Sequence, residues 1–134
     1  MAAHQDAIIH IMVIMSAADR DMKDVELQRM TAIVSQWPVF AGYDVETLPR
    51  VAQSSAQLLQ NDHGLAKLMD DARASLPSTL IETAYAAACD IAAADGKIAD
   101  EEAQLLELIR HRLHIDRLSA AAIERGARAR HARI

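Results

Sequence analysis

The segment Ala93-Ala94-Asp95-Gly96-Lys97-Ile98-Ala99-Asp100-Glu101-Glu102 repeats, 76 positions later, the pattern Ala17-Ala18-Asp19-Arg20-Asp21-Met22-Lys23-Asp24-Val25-Glu26. In register, Asp19 falls on Asp95, Met22 on Ile98, Asp24 on Asp100 and Glu26 on Glu102; farther on, Met30 meets Leu106 and Ile33 meets Ile109. Acidic and apolar positions match together, which marks an internal duplication rather than two helical stretches of similar composition. The repeat predicts a single domain over residues 1–134, with halves at approximately 4–37 and 78–113. Each half supplies an apolar helix, an acidic turn and an amphipathic helix.

A chain of 134 residues can bury most of its apolar surface without metal or disulfide staples. Only 3% of the residues are aromatic, so the core has to be built from small and aliphatic side chains. The single cysteine, Cys89, has no partner for an internal disulfide, and the chain does not open on a secretory signal, so a cytoplasmic location is expected. The apolar run from Ile8 to Met15, broken by His10, falls short of the roughly 20 residues that cross a bilayer.

Helical periodicity alternates with turn signals, and strand patterns are missing. Helices are expected over about 4–17, 24–36, 44–60, 65–75, 78–94, 100–113 and 116–130. Trp37-Pro38 closes the second, because the residue before proline is pushed out of the α region. Asp44 is the expected N-cap of the third, with Pro49 splitting that segment into a short turn and a helix from near Leu48. Ser78 is expected to cap the fifth and Asp116 the seventh. The fold class is all-α: a compact bundle of about seven helices with an internal pseudo-two-fold repeat.

Charge is unevenly spread. Residues 1–109 carry 17 acidic and 7 basic side chains, whereas residues 110–134 carry 2 acidic and 7 basic ones. An acidic body disfavours nucleic acid, whose binding requires cations that neutralise phosphates. The basic end, from Arg125 to Arg133, reads either as a solvated helix terminus or as a dock for an acidic protein or a peripheral contact with anionic lipid.

The acidic turns are the constellation with chemical potential. Asp19, Asp21, Asp24 and Glu26 in one copy, and Asp95, Asp100 and Glu102 in the other, offer the oxygen ligands that calcium, magnesium or manganese prefers. Asp95 and Glu102 occupy positions 1 and 8 of their loop, where an EF-hand needs 1 and 12, so the turns are not EF-hands. The same residues also suit helix capping, with acids at the positive end of a helix and Asp95-Gly96 as a turn. Asp90 aligns with Ile14. It reads as pointing to solvent from an otherwise buried helix, or else as lining a polar groove with Asp95; if buried, it needs a partner cation or a raised pKa. His111 and His114 lack a third ligand for zinc, and Cys89 lacks a neighbouring base. An enzyme is therefore the least favoured class. Its best form is a metal-dependent hydrolase or transferase that uses Asp90, Asp95 and Glu102 as ligands.

The apolar helix followed by Ala-Ala-Asp-Gly-Lys-Ile-Ala-Asp-Glu-Glu at residues 93–102, present in two copies, resembles the TerB-like family of bacterial tellurite-resistance proteins. The first copy departs from the pattern, with Arg20 at the glycine position and an added acid at Asp21. The resemblance implies a helical bundle, a role in tellurite-resistance or stress-response systems, and no established enzymatic activity. The resemblance and the duplicated acidic turn together point to a non-catalytic module whose acidic face binds a protein partner, with a divalent cation as the candidate cofactor.

Overall fold

Eight of the first helix's side chains between Gln5 and Ser16 are apolar, and α1 (Ala3–Ser16) is buried along that whole stretch apart from Asp6 and the half-buried His10. A helix without a polar face must lie at the centre of a bundle. The second such helix, α5 (Ile81–Ala93), is its partner: the two pack against each other. Ala84, Ala87 and Ala88 of α5 are fully buried, and their short side chains allow close approach. The computed structural model describes residues 3–16 and 24–134.

The amphipathic helices α2 (Asp24–Gln36) and α6 (Asp100–Arg112) each lie against both central helices. The first residues of the two helices are 76 positions apart, as are their last, and the paired positions Met30/Leu106 and Ile33/Ile109 are all buried. The duplication therefore extends to element boundaries and core positions. The first corner, residues 17–23, lies outside the described residues, and with it Asp19, Asp21 and Met22.

Helices α3 (Leu48–Leu59) and α4 (Gly64–Ser75) cover α1, and α7 (Arg117–His131) covers α5. Seven α-helices and no strand occur among the described residues. As expected, Pro49 divides its segment. A single 3-10 turn, Val45–Thr47, is capped by Asp44, whose carboxylate accepts from the Glu46 amide at 3.1 Å. Helix α3 then starts at Leu48, with Pro49 in the first turn, where its missing N–H costs nothing. Asp116 caps α7 by accepting from the Ser119 amide at 3.0 Å.

Ser78 does not cap α5. It begins a 3-10 turn, Ser78–Leu80, that follows the extended Pro77, and the N-cap position of α5 falls on Leu80, which makes no side-chain capping bond. The proline fixes the chain one turn earlier than the serine's cap propensity implies.

The loop after α2 is fastened to the core from below. Buried Gln5 donates to the carbonyls of Val39 at 3.1 Å and Ala41 at 3.4 Å, and Phe40 meets Tyr43 edge to face at 5.7 Å between ring centres.

Candidate functional site: the corner after α5 and the groove beside it

Helix α5 ends at Ala93, and Gly96 turns the chain with a φ of +95°, in the region that favours glycine. Four carboxylates of the second corner then divide three tasks. Glu102 reaches back from the first turn of α6 to accept from the Ala99 amide at 3.1 Å, which satisfies a donor at the helix start. Asp100 and Glu101 are exposed at the same positive helix end. Asp95 accepts from Arg29 of α2 at 2.5 Å, with its side chain 74% exposed.

Asp90 is the correction. It is 8% exposed rather than pointing at solvent, and Arg130 of α7 donates to its Oδ1 at 2.6 Å. His131 Nε2 stands 3.5 Å from the same oxygen. The buried carboxylate has thus found the partner cation that its burial demands. Next to it, Arg133 donates to the carbonyl of Ala94 at 3.1 Å, covering the negative end of α5. The basic terminus thus engages the acidic body of its own chain.

Between α2, α5 and α7 these residues border a groove of about 560 Å³. Its apolar lining comes from Ala32, Ile33, Trp37, Ala86, Ile91 and Ala94, while Arg29, Asp90 and Arg130 supply the charge and Gln36 and His131 are polar. Asp90 lines the groove; Asp95 and Glu102 do not. Among the described residues no group of three histidine, cysteine, aspartate or glutamate side chains could hold a metal ion. The remaining acids of the first copy, Asp19 and Asp21, lie outside those residues. Asp24, exposed, and Glu26, half-buried, open α2 directly after them.

Cys89 is buried, and its burial pushes the thiol up to about 12, with the negative charge of Glu124 adding to the effect. A thiol held protonated is a poor nucleophile. Burial likewise raises the Tyr85 phenol, whose hydroxyl lies 3.5 Å from Glu124 Oε2. His111 and His114 are exposed; His114, at a φ of +58°, closes α6 as its left-handed terminus, with the Ile115 amide donating to the Arg110 carbonyl at 3.1 Å. Its role there is conformational.

A groove at Asp90 and the need of a buried Asp90 for a cation were alternatives the sequence offered; that Arg130 is the cation, and that α2 and α7 rather than Asp95 complete the groove, was not foreseen. Two signals pointed to them: an aspartate at a position whose repeat partner is Ile14, and an arginine-rich end within reach of an acidic body.

These features define the class: an all-α bundle around two apolar helices, each followed by an acidic corner and an amphipathic helix. The family model described as tellurite resistance protein TerB matches residues 5–125 of the 134, and the chain belongs to that family. No curated protein and no solved structure matches the chain. The family membership supports a tellurite-resistance-associated role. No described helix is long and apolar enough to cross a membrane.

Proposed function

We propose that this TerB-family chain is a non-catalytic module of a cytoplasmic stress response, docking a protein partner through the acidic surface at the heads of α2 and α6. The observation that carries this reading is the exposure of Asp24, Asp95, Asp100 and Glu101 around those helix starts, on a framework whose buried thiol is held protonated. Exposed carboxylates on rigid helix ends suit electrostatic docking, which speeds encounter and selects a basic partner surface. A hard divalent cation is the proposed co-ligand, with Asp19, Asp21, Asp24 and Glu26 as the donors that the sequence offers in the first copy. Calcium, magnesium and manganese all favour such carboxylate oxygens.

The test is complementation. A host lacking the gene, plated on tellurite, should regain resistance with the wild-type chain and fail to regain it with Asp24→Lys/Asp100→Lys/Glu101→Lys, provided circular dichroism finds the variant helical. Full rescue by that variant would remove the acidic surface from the account. For the cation, melting in excess calcium, magnesium or manganese should exceed melting in chelator, by the equivalent of about 2.7 kcal/mol at a hundred times Kd. Asp19→Asn/Asp21→Asn should abolish the difference.

A further inference from the structure

We infer that the groove between α2, α5 and α7 is a binding site for a small amphipathic carboxylate, its head held by Arg29 and Arg130 and its aliphatic tail lying toward Trp37. This site adjoins the acidic surface proposed for the partner, meeting it at the Arg29–Asp95 pair.

The charge carried by the lining is the first argument. Two arginines and one aspartate line the groove, and Asp95, the carboxylate paired with Arg29, lies outside the lining, so the lining itself carries one excess positive charge. A monoanion is the complement of that single excess charge. Neither guanidinium is used up by its present partner. Arg29 spends one donor on Asp95, whose 74% exposure makes that bond weak and easily exchanged, and Arg130 keeps 54% of its side chain exposed while it holds Asp90. A guanidinium has five donors in a planar fork that matches a carboxylate.

Shape is the second argument. Trp37 follows Arg29 by two helical turns, and the Trp37 amide still donates to the Ile33 carbonyl at 2.9 Å, continuing the helical run. At 1.5 Å per residue the two side chains stand about 12 Å apart along the α2 axis. Ala32, Ile33, Ala86 and Ile91 line the space between, presenting an apolar track with its cations near the end of α5. A volume of about 560 Å³ falls within the range of small-molecule sites. Eleven residues line it, against the roughly 20–30 a side of a stable protein interface, so a small molecule fits better than a protein.

Trp37 is the only tryptophan of the chain, so the full-length protein reports on its own groove. Titration with decanoate below its micellar concentration should change the Trp37 emission saturably, with one site by calorimetry. Decanol, which has the tail without the charge, and acetate, which has the charge without the tail, should each bind at least about tenfold more weakly. Arg29→Gln should weaken decanoate by about tenfold and leave decanol unchanged. Ala32→Phe, built from an exposed position and so without disturbing the core, should block the groove and abolish the response. Equal binding of decanol and decanoate, an undiminished response in Ala32→Phe, or no saturable response in the wild type would each overturn the assignment.

Discussion

At Gly64 a missing side chain decides how two helices meet. A Cβ built there would lie 2.0 Å from the Leu58 carbonyl oxygen, a backbone atom that cannot swing aside. The residue before it, His63, takes a left-handed φ of +63°, so the α3–α4 turn folds back within a few residues and brings the two backbones together. Gly64→Ala should therefore destabilise the protein by about 2–3 kcal/mol, the scale of overpacking in a dense interior, measured by urea denaturation. A loss below 0.5 kcal/mol would mean that the turn relaxes freely. Asn61-Asp62-His63-Gly64 falls between the expected helices 44–60 and 65–75, but its composition does not distinguish a glycine needed for its φ from one needed for its lack of volume. Only the approach of the Leu58 carbonyl makes that distinction.

Between elements, the buried charge of Asp90 ties α5 to α7, alongside their apolar packing and the Tyr85–Glu124 contact. Arg130→Gln would leave Asp90, 8% exposed, without its cation. Breaking a fully buried pair costs about 3–5 kcal/mol, but the Arg130 side chain is 54% exposed, and the expected loss is nearer 1–2 kcal/mol. The repeat supplies the remedy. Ile14 occupies the equivalent position of α1 and is 2% exposed, so Asp90→Ile in the Arg130→Gln background should recover most of the loss by removing the carboxylate that needs a cation. Chemical denaturation of the two variants and their combination measures this, and an additive double mutant would separate Asp90 from Arg130. The same position marks the limit of what could be read beforehand. The starts of α2 and α6 were legible because their acids and apolar stripes are local patterns, whereas the partner of Asp90 lies 40 residues away, on a helix whose basic end reads equally well as solvated. Ser78 misled for a related reason: cap propensity is local, but Pro77 had already set the backbone for a 3-10 turn.

For the molecule as a whole, the buried ionisable groups set a stability plateau bounded on both sides. Burial on α1 holds the His10 imidazole below its ordinary 6.5, an effect only partly offset by Asp6 and Asp71. The unfolded chain then takes up a proton near pH 6.5 that the folded chain resists, so His10's contribution is intact above about 6.5 and declines as the pH falls below it. Cys89 works in the opposite sense. Its thiol ionises near 9.0 when unfolded and is pushed up to about 12 by burial, so the folded chain retains a proton that the unfolded chain releases, and stability falls as the pH rises above 9.0. The raised Tyr85 phenol adds to this alkaline limb from its ordinary 10.0 upward. Asp116, lowered mainly by its bond from the Ser119 amide, acts only below its ordinary 3.8 and leaves the plateau untouched. Urea midpoints measured across pH should accordingly be greatest between about 6.5 and 9.0. His10→Gln should flatten the descent from pH 6.5 toward 5.5 and Cys89→Ala the first part of the alkaline descent, each leaving the other limb in place, because the two groups titrate in separate windows. A His10→Gln chain that keeps the full acid-side slope would assign that slope to carboxylates and place His10 in a more solvated setting than its position on the central helix allows.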